Sequence, residues 1–140
     1  MAAREPVSEP PVGRGRGASI GLWLVQVILA VFFIAAAAVP KLIGEETAVT
    51  MFRDIGIGQW FRYLVGALEF AGAVGLLVPR LAGLAALGLV GLMVGAFFTQ
   101  LLILDGGALA LTPLILGLVA AAIAWGRRHE IAALAGVLRR

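Results

Sequence analysis

The chain contains four long stretches with at most one charged side chain each, and these constrain its fold more than any other feature. Residues 20–39 and 81–104 carry no Asp, Glu, Lys or Arg, residues 108–126 carry none either, and residues 63–79 carry only Glu69. A helix rises about 1.5 Å per residue, so about 20 apolar residues cross the roughly 30 Å hydrocarbon core of a bilayer. Hydrophobic residues make up 61% of the 140, against 14% charged, which is outside the range of soluble domains. The expectation is an all-α polytopic membrane protein: a four-transmembrane-helix bundle with helices at about 20–43, 61–78, 81–104 and 108–126.

The connections differ in character. Residues 1–19 are rich in Pro, Gly and Arg without apolar periodicity, which predicts a disordered tail. The tail and first run also have the parts of a signal peptide, but the run exceeds the usual apolar region of about 7–15 residues. Pro40 and Lys41 mark the far interface, and Gly44 is a natural helix stop. Beyond it, Ala48, Met51, Phe52 and Ile55 follow the i, i+3, i+4, i+7 spacing of a short amphipathic surface helix between spans one and two. Glu45, Glu46, Arg53 and Asp54 would face water, and residues 56–58 turn the chain back. Trp60, Phe61, Arg62 and Tyr63 form an interfacial belt. Pro79-Arg80 and Asp105-Gly106-Gly107 make short turns, Pro113 predicts a kink, and residues 127–140 form a C-terminal surface tail.

Lys and Arg set the orientation. Eight (Arg4, Arg14, Arg16, Arg80, Arg127, Arg128, Arg139, Arg140) share the side of the termini, against Lys41, Arg53 and Arg62 opposite. The positive-inside rule places both termini in the cytoplasm of a plasma-membrane protein. The basic residues flank apolar runs instead of forming one basic face, so no nucleic-acid partner is expected. The partners implied are the lipid bilayer and other helices. Small residues spaced by four, Ala67/Ala71/Gly75, Gly91/Gly95/Thr99 and Gly117/Ala121, would line helix contacts within the bundle or in a homodimer.

The chemistry is sparse. There is no cysteine, so thiol chemistry is excluded. The single histidine, His129, rules out bis-histidine haem ligation within one chain, and no nucleotide loop, nucleophile elbow or HExxH pattern occurs. No catalytic, cofactor-binding or metal-binding residue is predicted. Glu69 stands out: it lies about 10 Å from the level of Arg62 and about 15 Å from that of Arg80 at helical rise. An ionised, unpaired carboxylate there costs at least about 2.5 kcal/mol, so it is protonated, paired, or lining a polar cavity. Lys41 is the nearest cation able to reach it, and Gln100 with Thr99 offers polar groups at similar depth. These four residues form the candidate intramembrane polar site, and a structural pair and a proton or substrate role both remain open.

The segments 38–42 (AVPKL), 66–72 (GALEFAG) and 76–80 (LLVPR) together resemble the DoxX-like family of bacterial four-helix membrane proteins, over about residues 20–128. The resemblance implies a polar signature at Lys41 and Glu69. It also implies a non-catalytic accessory subunit of a membrane redox or quinone-linked complex, with a quinone brought into view by the resemblance alone. Relatives often carry a histidine where this chain has Gln100, which argues against direct redox or metal chemistry. The alternatives are a small proton-coupled transporter using Glu69 and a lipid, isoprenoid or quinone binding module.

Overall fold

The computed structural model describes Ala3 and residues 16–140. Four helices long and apolar enough to cross a membrane span Gly17–Ile43, Gln59–Leu77, Ala82–Leu102 and Gly107–Gly126. In chain order we label the first span α1, the surface helix Glu46–Ile55 α2, the next three spans α3, α4 and α5, and the C-terminal helix Arg128–Leu138 α6. The all-helical, four-span expectation matches this architecture. Residues 1, 2 and 4–15 of the expected tail lie outside the described residues, whereas residues 16–19 extend α1.

Around the bundle the spans follow the order α1, α3, α4, α5, with the most extensive interface between α4 and α5. The core is small and centred on Leu29, Phe33, Leu76, Leu89, Met93 and Ile123. In hydrocarbon, helices associate by close backbone approach. A Cβ on Gly75 would lie 2.7 Å from the Ala85 Cβ, and one on Gly72 would meet Leu89 at the same separation, so α3 and α4 touch through glycine. Gly117 abuts Met93 between α5 and α4, and Gly126 abuts Leu22 between α5 and α1.

Gly75 and Gly117 make bundle contacts as the small-residue stripes predict, whereas other members of the three stripes do not. Ala67 and Ala71 are exposed, and Gly66, Gly72 and Ala73 take the α3 contacts. Ala121 is exposed, and Ala120 and Ala124 are buried in α5. A methyl group added at Gly91 or Gly95 would meet nothing within 4 Å. The chain has 19 glycines and many alanines, so spacing-four stripes arise on several helix faces and spacing alone does not choose among them.

Two prolines are absorbed by changes of helix type. Residues Phe33–Ala38 form a π turn, with the Val39 N–H donating to the Ile34 carbonyl. This wider turn precedes Pro40, whose ring clashes with the carbonyl four residues back in regular α geometry. At Pro113, where a kink is expected, α5 begins as a 3-10 turn over Gly107–Ala110 and becomes α-helical at Leu111.

Gly44, at φ +75, ends α1 as expected. The Glu45 carboxylate then accepts from the Thr47 and Ala48 N–H groups at 3.1 and 3.3 Å, capping α2. Ala48 and Phe52 are buried beneath that helix while Glu46, Arg53 and Asp54 are exposed, as its periodicity predicts.

Two outcomes follow for the scaffold. Gly75→Val drives a branched side chain into Ala85 and is expected to cost about 1–3 kcal/mol, whereas Gly91→Ala meets open space and is neutral or stabilising. Unfolding in mild detergent measures both, and equal effects would contradict the glycine contact. The Thr47 N–H, with that of Ala48, holds the Glu45 carboxyl below its ordinary 4.5. A lowered folded value gives stability that is complete above the unfolded value and is lost as pH falls through the folded one. Amide protection at Thr47 and Ala48 should therefore decline below about pH 4.5 and lose this dependence in Glu45→Gln; a flat profile in the native chain would refute the cap.

Candidate functional site

Lys41 and Glu69 meet inside the bundle. Nζ lies 2.9 Å from Oε2 and donates to Oε1 at 3.1 Å, and the two side chains are 17% and 4% exposed. Gly66 favours the approach: a Cβ there would sit 3.0 Å from the Lys41 Cβ, so a side chain would push α1 away from α3 one turn before Glu69. The π turn ends just before Lys41, and Nζ also donates to the Ala37 carbonyl at 3.2 Å. The ammonium is thus held by one carboxylate and one backbone carbonyl.

Arg62 braces this arrangement, a role its place in the aromatic belt does not reveal. It is 4% exposed, its Nη1 donates to the Lys41 carbonyl, and its Nε donates to Gln59 Oε1 at 2.8 Å. The Lys41 carbonyl belongs to the last turn of α1, where carbonyls lack helical partners, so the guanidinium caps that helix. Gln59 Nε2 in turn donates to the Val49 carbonyl at 3.0 Å, tying α2 to α3, and the guanidinium stacks 4.2 Å from the Tyr63 ring centre. Trp60 and Tyr63 remain exposed in the manner of interfacial anchors.

The pair forms part of the wall of a cavity of about 470 Å3. Phe33 and Ala37 of α1, Met51, Phe52 and Ile55 of α2, and Phe61 and Val65 of α3 contribute apolar surface. Leu92, Met93 and Ala96 of α4 and Pro113 and Leu116 of α5 close the remaining sides. Thr99 and Gln100 line it too, so the four residues singled out in the sequence share one space. The Thr99 hydroxyl donates to the Gly95 carbonyl at 2.8 Å, and the Gln100 amide oxygen packs against Gly106.

The cavity is open. Phe32 and Ala36 of α1, Gly91 and Gly95 of α4 and Thr112 of α5 all line it and are exposed. Phe32 and Gly91 lie near the middle of their spans, so this exposure is to hydrocarbon. At the α2 end, Met51, Gln100, Leu104 and Leu109 are shared with a second, shallower pocket of about 390 Å3 carrying Glu46, Thr47, Thr50 and Asp54. One side of the space therefore meets lipid and the other a polar vestibule.

The opposite end of the bundle is closed by a network that the sequence did not announce. Gln26, fully buried, donates to the Leu76 carbonyl at 2.8 Å and accepts from Arg127 Nε at 2.9 Å, while Arg127 Nη1 meets Glu130 at 3.1 Å. The Leu76 carbonyl lies in the last turn of α3, so Gln26 satisfies a helix end as Arg62 does. The signal available in sequence was one polar residue inside an uncharged run; its partner lies 101 positions away. Among the described residues no three His, Cys, Asp or Glu side chains converge as metal ligands.

Four apolar spans around an intramembrane cavity with a buried ion pair in its wall define a polytopic helical membrane protein. The model of the DoxX-like family matches residues 24–137, and the chain belongs to that family. No curated protein and no solved structure matches the chain.

The pair carries a direct test. Lys41→Met leaves a buried carboxylate without its cation and is expected to cost about 3–5 kcal/mol of stability, most of which Lys41→Met/Glu69→Gln recovers. Steric-trap or detergent unfolding of the cycle reads the coupling. Additive effects of the two substitutions would show that the side chains do not depend on each other.

Proposed function

We propose that this protein is a membrane binding module for a lipid-soluble small molecule, serving as a non-catalytic accessory subunit of a membrane redox or quinone-linked complex. The cavity beside Lys41 and Glu69 carries this reading. Its volume is within the roughly 300–1,000 Å3 range of small-molecule sites, and its walls are apolar apart from a few convergent polar groups. Openings at Phe32, Ala36, Gly91 and Gly95 suit a ligand that arrives from the bilayer. By the distribution of Lys and Arg the cavity lies in the half of a plasma membrane facing away from the cytoplasm.

A quinone fits the donor set. Its carbonyls accept from Lys41, and its ring and tail match Phe33, Phe52, Val65 and Leu116. Bound, it would supply electron-carrying chemistry, while the chain's residues orient it and exclude water. Proton-coupled transport draws less support, because Glu69 is paired with Lys41 and the Gln26–Arg127 network closes the opposite end of the bundle.

Native mass spectrometry of protein released from its own membranes tests the binding reading. The native chain should retain a small lipid-soluble molecule that is lost in Ala96→Leu and in Val65→Phe, which fill the cavity from two sides. Identical adducts in all three proteins, or phospholipid alone in the native chain, would defeat it. Co-purification of redox subunits in mild detergent tests the assembly, and recovery of the chain alone across several detergents counts against that part.

A further inference from the structure

We infer that α6 is a membrane-surface helix whose arginines bind the headgroups of anionic phospholipids. The bundle sets its depth. Arg127 directly follows α5, and a Cβ on Gly83, in the first turn of α4, would lie 3.0 Å from the Arg127 Cβ and 2.8 Å from Ile131 Cγ1. The first turn of α6 is therefore seated level with the ends of two spans, where hydrocarbon gives way to headgroups. Ile131, Leu134 and Leu138 share one face by their i, i+3, i+7 spacing. Ile131 packs on the core and Leu134 is half-buried, but Val137 and Leu138 are 67% and 84% exposed. The apolar stripe thus begins on the bundle and runs off it. An interfacial helix buries such a stripe at the boundary of the acyl chains.

The charges beside the stripe select the lipid. Arg128 and Arg139, about three turns apart, return to nearly the same side of the helix, and Arg139 and Arg140 directly follow the exposed Leu138. All three arginines are exposed, as is Arg80 in the turn leading into α4 at the same end of the bundle. Arg128 is held in place: its guanidinium lies 4.5 Å from the centre of the exposed Trp125 ring, and its Nη1 donates to the Trp125 carbonyl at 2.8 Å. Trp125 is in the last turn of α5, the level that interfacial indoles favour. The one acid of α6, Glu130, is engaged by Arg127 at 3.1 Å, and the other acids among the described residues lie within α3 or at the α2 end. Guanidinium groups match phosphate oxygens in a two-point contact, and their stems let the stripe lie below while the charges stay at the headgroups. A zwitterionic lipid offsets its phosphate with its own ammonium, and a second copy of α6 would set arginines against arginines. An anionic phospholipid answers both the stripe and the charges. No residue of α6 lines the cavity, so this surface is independent of what occupies that space.

The full-length protein in nanodiscs of mixed phosphatidylglycerol and phosphatidylcholine is released into native mass spectrometry, and the retained lipids are counted. One arginine near an anionic surface contributes about fivefold in affinity, so phosphatidylglycerol should be retained at least about tenfold over phosphatidylcholine. Arg139→Gln/Arg140→Gln, at two exposed positions, should remove most of that preference. The chain has no cysteine, so Leu138→Cys takes a single fluorophore that reports depth through quenching by aqueous acrylamide. The label should be shielded when phosphatidylglycerol is present and exposed in the double arginine variant. A label open to acrylamide in every bilayer would place the far half of α6 in water and overturn the inference. Equal shielding with and without phosphatidylglycerol, with no lipid preference, would show apolar contact alone and overturn the anionic assignment. Shielding accompanied by a dimer mass in every lipid would give the surface to a second copy and overturn it as well.

Discussion

Hydrocarbon offers no water to a polar group, so every donor and acceptor placed within the spans of this protein must find its partner in the chain or in a ligand. Three polar side chains inside the bundle meet this condition in related ways. Gln26 donates to the last turn of α3, Arg62 donates to the last turn of α1, and Lys41 donates to the Ala37 carbonyl beside the π turn. The first two use a carbonyl that a helix end leaves in need of a donor. Glu69 differs: its partner is the Lys41 ammonium, which lies 3.1 and 2.9 Å from its two oxygens. The position of Lys41 thus governs whether the bundle tolerates Glu69, and that position depends on the glycine at 66 and on the Arg62 cap.

The two ends of the bundle consequently have different properties. Where the termini lie, Leu22 packs on Gly126, Arg127 reaches Gln26, and the α3–α4 glycines bring backbones together. Towards α2, the spans separate around a cavity, and α2 lies across it through Met51, Phe52 and Ile55. Close packing at one end holds the spans in place, and the space at the other is kept from collapsing by the ion pair and by the Gln59–Arg62 braces. The same helices therefore provide a firm frame and an open cavity.

The four spans and the surface helix were legible because absence of charge over about 20 residues and the spacing of Ala48, Met51, Phe52 and Ile55 are local signals. Glu69 and Lys41 were legible because a charge in hydrocarbon must be answered, and few cations were within reach. Gln26 was not, since an uncharged amide fits a span without an obvious penalty and its partner Arg127 is remote in sequence. Arg62 was hidden by its neighbours: between Phe61 and Tyr63 at the start of a span it has the sequence context of an interfacial anchor, and only the end of α1 folding over it explains its burial. The helix contacts were visible as a preference for small residues but not as particular positions, because rotation about each helix axis is set by packing across the bundle.

The placement of the ion pair also bears on why it is there. A buried pair contributes little to stability beyond what two well-packed apolar residues would supply, because desolvation offsets most of the attraction. Apolar side chains at 41 and 69 would close α1 on α3 and occupy part of the adjoining space, removing both charges from the cavity wall. The bundle instead keeps both at the cavity wall, beside a glycine contact and an arginine cap. Such an arrangement gives little to the fold, and it sets two paired charges in the wall of an otherwise apolar space.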